Sequence, residues 1–589
     1  MERKMTKKDY LIVIIMTVVY SLMAFLNLGS MTAPVEGYTP ENTRLSVIVF
    51  FEDEVEISRI TYYIGLGNDW YSAGQLDVEY LNEYNSFEDL CSLEKPSNNV
   101  FKWFHRDVEV RTSAVRLTTA RFYNDENNIS GTQGEFLEVA FWGAEGEEVS
   151  LIKIDSVEVL DEESKGMEKL FDEQEIAVYN PSYMNSAYFD EVYFPRTAYE
   201  YIEGINPYEN THPPFGKVLM MWSMKIFGVN PFGWRFMGTL FGVFMIPVMY
   251  ILGKKVFGST LLAFVCAFLM MFDFMHFVQT RIGTVDGFLV FFILMTYFFM
   301  YQYYMKKSYE LKFVPSLLPL LMCGIFFGLA GSVKWIGLFA GLGLAFMFFM
   351  SRILEYRDYK KGIADVKGFK LKYIWGTMGM CIIFFIIIPA VIYTLSYIPV
   401  FNAIKSTNWI TDILGSQKHM FSYHSGVTQS HPYASPWWQW PLMIKPVYYY
   451  LSPTLAEGEW GSIASFGNPA VWWIGFVAMF VSAGIAIKKR DKRMVFVFAG
   501  YLSILLPWIF SPRDITFLYH YFACVPFLIF AIAYVMEHLL EKYPKAKKGI
   551  YIYLGVVIIL FIVFYPALSG IKVPASITEN LRWLPSWFF

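Results

Sequence analysis

The chain is poor in charge: only 17% of its 589 residues are Asp, Glu, Lys or Arg, against roughly 25% in ordinary soluble domains. With 55% apolar and 19% aromatic residues, that deficit argues against a cytosolic enzyme and against a disordered chain. Cysteine is scarce as well. Of Cys91, Cys266, Cys323, Cys381 and Cys524, only Cys91 falls in the acidic stretch described below, so no disulfide closes within it. No Cys/His spacing suits a metal. Low-complexity runs and internal repeats do not stand out. A basic nucleic-acid-binding domain is missing too, because the excess Lys and Arg come in short runs between apolar stretches.

What is present divides in two. Between Thr32 and Phe189 there are 31 acidic and 11 basic residues, a balance of −20, whereas the remainder carries 21 and 37, a balance of +16. That remainder is dominated by apolar runs. Crossing a bilayer core takes about 20 such residues, and eleven candidates lie near 10–31, 233–253, 259–278, 284–304, 314–332, 336–351, 373–398, 469–487, 495–510, 517–537 and 550–568. The first follows Arg3, Lys4, Lys7 and Lys8 but is long and lacks a clear small-residue cleavage site, so it reads as an uncleaved anchor.

The basic clusters set the orientation. They lie at the N-terminus, at Lys254 and Lys255, at Lys306 to Lys312, at 352–372, at Lys488 to Arg493 and at Lys542 to Lys548. All six fall on one side of an eleven-span chain whose N-terminus is cytoplasmic. The acidic stretch, the segment 399–468, the turn from Ser511 to Thr516 and the C-terminus then fall outside. The expected product is a multi-pass plasma-membrane protein.

Within the acidic stretch, segments 56–63, 75–80, 114–120 and 136–142 alternate apolar and polar residues and are separated by Gly and Asn turns. This predicts an all-β antiparallel sandwich over 32–185. The pattern resembles the discoidin-like jelly rolls that often bind carbohydrate, which makes carbohydrate one candidate partner and a purely structural or docking role the other.

Charged and polar residues on the outer face of a membrane bundle are functional candidates. Asp190 and Glu191 precede a short amphipathic stretch. His212-Pro213-Pro214-Phe215-Gly216-Lys217 opens a helix, and Gln279-Thr280-Arg281 ends the third span. Ser332-Val333-Lys334-Trp335 lies between two spans. His431-Pro432-Tyr433 with Trp437, Trp438 and Trp440 lies in the 399–468 segment, while Arg513 and Thr516 precede the tenth span and Tyr519 and His520 lie at its start. Each has a bland alternative, such as a helix-dipole partner, a snorkelling cation or an interfacial aromatic. Their shared face is the informative feature.

In this order, the motifs resemble those of the protein O-mannosyltransferases. Asp190-Glu191 and His212 to Lys217 match its Asp-Glu and His-Pro-Pro-Leu-Gly-Lys signatures. Gln279 to Arg281, Ser332 to Gly337, His431 to Ser435, Trp438 to Leu442, Gly467 to Pro469, Leu506 to Trp508 and Thr516 to Tyr521 follow. The resemblance covers the first span and 186–589, and implies a polytopic GT-C glycosyltransferase with about eleven transmembrane helices. Two features depart from it: the insert at 32–185, and the absence of a β-trefoil in 399–468, as in the bacterial branch.

The family resemblance implies an inverting transfer of mannose from polyprenyl-phosphate-mannose to Ser/Thr hydroxyls of exported polypeptides. Asp190 would then accept the hydroxyl proton, with Glu191 positioning the acceptor or tuning Asp190. Arg281, then Arg513 and Lys217, then Lys334, would hold the donor phosphate. His212, His431, Tyr433, Trp438, Tyr519 and His520 would contact sugar or acceptor. Two alternatives remain open. One is a GT-C transferase with another lipid-linked sugar or a lipid or glycan acceptor, and the other is a non-catalytic glycan-sensing receptor or transporter. Because a monophosphate leaving group can be served by cations of the protein alone, no metal cofactor is expected. Chelation should leave transfer intact; activity abolished by a chelator and restored by Mg²⁺ or Mn²⁺ would refute this.

Overall fold

The computed structural model describes residues 4–67, 73–124, 129–131, 133–145, 148–426, 431–511, 513 and 515–589; Arg3 of the basic N-terminus and Pro512 and Asp514 of the outer turn lie outside them. The first helix, α1 (Lys7–Phe25), is closed by a capping box in which Thr6 and Asp9 exchange side-chain bonds to each other's amides. Asp9 is buried and also pairs with Lys254 at 2.9 Å and accepts from Tyr250 at 2.9 Å and Thr260 at 2.7 Å. This ties the start of α1 to two other spans.

The insert is an antiparallel sheet built on β1 (Ser46–Ile64), β2 (Gly74–Leu81), β3 (Phe87–Lys95), β4 (Lys102–Ala120), β5 (Phe136–Glu145), β6 (Glu148–Leu151) and β7 (Ile154–Val159). The order is β3-β2-β4-β1-β5-β6, with β7 also on β1. Strand β1 breaks register with β4 between Phe50 and Val55 and again between Ile57 and Arg59. Its first half therefore pairs with β7 and its second half with β5. Among the described residues the expected sandwich is one seven-stranded hydrogen-bonded sheet, in which β1 changes partner midway, beside a two-stranded ribbon of 122–124 and 129–131. Alternate residues Val47, Val49, Ile60, Tyr62, Leu76 and Val115 enter a core of its own.

After the insert come α2 (Phe194–Glu203), α3 (Phe215–Phe227), α4 (Pro231–Phe257), α5 (Thr260–Met271), α6 (Phe274–Arg281), α7 (Asp286–Met305), α8 (Phe313–Val333) and α9 (Ile336–Lys360). Then follow α10 (Lys370–Ala403), α11 (Trp409–Gly426), α12 (Pro469–Lys489), α13 (Lys492–Phe510), α14 (Leu518–Lys542) and α15 (Pro544–Ser569). Among the described residues ten helices are long and apolar enough to cross a membrane, or eleven if α5 and α6 form one span. They coincide with the eleven predicted stretches, and the chain is a multi-pass membrane protein. The third span is not straight: α5 and α6 meet at 54°. Asp273 caps α6 at the break, accepting from the His276 amide at 3.1 Å, and takes the Trp472 indole N–H at 2.8 Å. Helix α10 turns Leu371, Trp375, Ile386, Val391 and Leu395 outward, the apolar exposure expected of a lipid-facing span.

The membrane helices share one continuous apolar core. It includes Tyr63, Val100, Phe101, Trp103 and Leu137 of the insert, so the sheet is fused to the bundle rather than tethered to it.

Candidate active site

Asp190 and Glu191 sit in a 3-10 turn, Phe189–Val192, just before α2. The turn aims them apart. Glu191 is fully buried and grips Arg235 of α4 bidentately, at 2.7 Å to Nε and 2.6 Å to Nη2. Its oxygens also accept the Gly283 amide at 2.8 Å and the Tyr188 amide at 3.2 Å. A Cβ at Gly283 would lie 2.7 Å from Pro195 and 3.2 Å from Glu191, so glycine is what permits this approach. The other Arg235 donors reach the carbonyls of Leu28 at 2.9 Å, Tyr183 at 2.7 Å and Ser186 at 3.0 Å. Glu191 thus has no free surface with which to meet an acceptor. Its expected positioning role is replaced by a structural one.

Asp190 remains partly exposed, and among the described residues no side chain hydrogen-bonds its carboxylate. Burial pushes its carboxyl up to about 7; Lys334 and Arg513 pull down, while Asp286 and Glu209 push up. Lys334 and Arg513 line a cavity of about 290 Å³ together with His212, His424, Trp508 and His520. A second cavity of about 320 Å³, lined by Ser435, Trp437 and Thr516, shares Trp508 and Arg513 with the first.

The cations differ in how far their charge is already matched. Lys334 is paired with Asp286 at 2.8 Å and 3.0 Å, and Gln279 donates to the same carboxylate at 3.3 Å while accepting from Tyr449 at 2.6 Å. Lys217 is buried against Glu209 and also donates to the carbonyls of Glu209 at 2.7 Å and His212 at 3.0 Å. It is therefore spent inside the fold rather than held ready for a phosphate. Arg281, expected as the leading phosphate ligand, donates to the carbonyls of Ala24 at 3.0 Å, Leu26 at 2.6 Å and Asn27 at 2.9 Å. It closes the C-terminal end of α1 and is not among the residues lining either large cavity.

Arg513 is different. Among the described residues no carboxylate pairs with it, and its Nε is buried without a partner. Its Nη1 lies 3.5 Å from Nδ1 of His424. His424 Nε2–H donates to the Thr211 carbonyl at 2.7 Å, which leaves a lone pair on Nδ1. Burial, with the nearby His212 and Arg513, pushes His424 down to about 4. The imidazole is neutral at pH 7 and adds no competing charge beside Arg513.

His212 Nδ1 is 2.8 Å from Glu209, whose carboxylate is held low by Lys217 and His212 although burial opposes this. Burial lowers His212 despite the pull of Glu209. His520 lines the cavity with its ring 4.5 Å from that of Trp508, and Tyr519 lies under Lys334 at 5.8 Å. The remaining predicted contacts are less central. His431 takes the Tyr433 amide at 3.2 Å and packs edge-on against Phe517 at 4.9 Å. Tyr433 lies near Tyr448. Trp438 is 54% exposed and lines neither cavity, whereas Trp437 lines the second.

Glu209, Arg235 and His424 do not figure among the sequence-derived candidates. Arg235 had a signal, a lone cation inside an apolar span. Glu209 lies three residues before His212, and His424 has no marker beyond its polar surroundings in α11. Among the described residues, the one cluster of three or more His, Cys, Asp or Glu side chains placed to share a cation, Glu138, Asp172 and Glu173, belongs to the insert. Chemically, the site offers a half-buried acid whose carboxyl is pushed up to about 7, and a cation with donors to spare beside an aromatic-walled cavity.

Two family models match the chain. One, described as dolichyl-phosphate-mannose-protein mannosyltransferase, covers residues 175–404. The other, the C-terminal four-transmembrane region of protein-O-mannosyltransferase, covers 409–587. A polyprenol-phosphate-mannose–protein mannosyltransferase of Corynebacterium glutamicum is 25% identical over 466 residues, spanning 68% of this chain and 88% of its own. One from Mycobacterium tuberculosis is 26% identical over 459 residues, spanning 68% and 86%. The structure of the Saccharomyces cerevisiae protein O-mannosyltransferase Pmt1–Pmt2 complex bound to the sugar donor superposes with a TM-score of 0.60 at 13% identity, covering 68% of this chain and 89% of that one.

Removing the guanidinium from beneath Glu191 strands a buried carboxylate. Arg235→Met should destabilise the protein by about 3–5 kcal/mol, with much of the loss recovered in the Glu191→Gln/Arg235→Met double variant. Thermal unfolding in detergent checks this, and an unchanged Tm for the single variant would refute it.

Proposed function

Because the chain belongs to the protein O-mannosyltransferase family, we propose that it moves mannose from polyprenyl-phosphate-mannose to Ser/Thr hydroxyls of exported polypeptides, with inversion at the anomeric carbon. What supports the mechanism is the placement of Asp190, whose carboxylate no described side chain hydrogen-bonds, where burial pushes it up to about 7 and the charges of Lys334 and Arg513 act on it. A Ser or Thr hydroxyl is a poor nucleophile, and a base titrating near the working pH accepts its proton most effectively. Asp190 takes that proton as the hydroxyl oxygen bonds to the anomeric carbon and the bond to the phosphate oxygen breaks. Negative charge then grows on the departing phosphate, and Arg513, with donors unfilled by any described carboxylate, stabilises it. Lys334, balanced by Asp286, serves mainly to hold the ionised form of Asp190 within range.

The second cavity, walled by Trp437 and Trp508, supports a groove for the acceptor segment or the prenyl chain. The basic loops support an orientation with the N-terminus in the cytoplasm and the site at the outer surface.

Reaction rate should fall as pH drops through about 7, since only ionised Asp190 accepts a proton. Lys334→Gln removes a cation and frees Asp286, so it should move this acid limb to higher pH. Asp190→Asn should lower transfer about 10³-fold while leaving donor binding intact and stability equal or higher, because the wild-type carboxylate is desolvated. Purified protein supplied with labelled lipid donor and a Ser/Thr peptide provides the test. Near-normal turnover by Asp190→Asn would reassign the base, and hexose appearing on lipid but not on peptide would overturn the acceptor class. Arg513→Ala should cost about 10²–10³-fold in kcat; wild-type kcat would remove it from the phosphate role.

A further inference from the structure

The inserted sheet reaches directly into the segment that carries Asp190. The turn between β3 and β4 ends at Phe101, a bulky residue in the left-handed region at φ 52°. Such a residue costs strain and persists only where its surroundings hold it. Here they do. The Phe101 ring packs edge-on against Tyr199 of α2 at 5.3 Å and against Trp234 of α4 at 6.0 Å. Its carbonyl accepts the Ala187 amide at 2.8 Å. Two residues on, the Trp103 amide donates to Oγ of Ser186 at 3.0 Å, and the Trp103 ring packs on Tyr63 at 5.2 Å.

The chain held in this way, 186–188, is the last stretch before the reacting carboxylate. The Ser186 carbonyl is also an Arg235 acceptor, and the Tyr188 amide is a Glu191 donor. Phe189 is also a bulky residue in the left-handed region, at φ 50°, and its ring stacks on Tyr449 at 4.2 Å. Asp190 therefore projects from a strained step clamped on one side by the insert and on the other by Tyr449.

We propose that the inserted sheet is a positioning element for the transfer reaction: its Phe101–Trp103 turn fixes residues 186–188 and through them the direction in which Asp190 points. This rests on the reading of Asp190 as the proton acceptor. It makes the sheet part of the catalytic apparatus, although both family models begin after its last strand, at residue 175 or later.

The charged and titratable groups facing Asp190 are Lys334, Asp286, Glu209, Arg513, Tyr193, Tyr449 and Tyr519. All lie in the membrane part of the chain. A substitution in the insert can move the acid limb of the pH–rate profile only by displacing Asp190 or its neighbours. Phe101→Ala in the full-length protein should lower kcat about tenfold or more, leave the donor KM within about twofold, and shift the acid limb. Phe101→Tyr, which keeps the ring, should restore all three, and Ser186→Ala should reproduce part of the defect. Amide hydrogen exchange at 187–193, which needs no substrate, should quicken in Phe101→Ala. Unchanged exchange there, or a kcat loss that tracks the folded fraction with the limb unmoved, would overturn the proposal. Faster exchange in a protein that shows no transfer to any peptide would instead overturn the mannosyl-transfer reading and leave the positioning intact.

Discussion

The ion pair between Glu191 and Arg235 is the constraint on which the site depends. Both partners are removed from water, where unpaired charges cost several kcal/mol each, so neither can be released cheaply. Arg235 uses its further donors on the end of the first helix and on the chain leaving the insert. A single guanidinium thereby fixes the junction of three segments distant in sequence. With Glu191 held inward, its neighbour Asp190 is turned away from that pair, since adjacent residues in a tight helical turn cannot share a direction. The structural carboxylate sets the direction of the proposed proton acceptor.

The second theme is how cations are spent. Arg281, Lys217 and Lys334 each satisfy a partner inside the protein, whereas Arg513 keeps capacity in reserve. Fixed donors in a water-poor site stabilise developing charge because they need no reorganisation as the reaction proceeds. A site crowded with bare cations would instead depress Asp190 and remove its ability to accept a proton near neutrality. Pairing Lys334 with Asp286 keeps the field moderate, and the neutral His424 beside Arg513 does the same without adding charge.

The spans were legible because long apolar runs and alternating basic loops are coarse signals that tertiary packing does not override. The strands were legible by their alternation, but not the change of partner along β1, because that follows from register breaks near Phe50 and Ile57. Motifs around His212, Lys334, Arg513 and His520 do converge on one cavity. Arg281 and Lys217 do not join it, because a sequence shows that a cation is present but not which carbonyls or carboxylates will claim it. Glu209 and His424 escaped for the same reason: their weight comes from partners brought near by folding. Arg235 was the readable omission, since a lone guanidinium in an apolar run demands an internal counter-charge.

The grip of Arg281 on the carbonyls of Ala24, Leu26 and Asn27 bears on what the leading helix is. A detachable export signal leaves its protein with nothing missing. Here, loss of residues 1–31 would strip a guanidinium of three acceptors, Arg235 of a fourth at Leu28, and Lys254 of its counter-ion at Asp9. A truncated chain would thus leave Arg281 and Lys254 without these partners in its interior, while Arg235 would still be held by Glu191. The opening helix is bonded into the interior of the bundle at both of its ends.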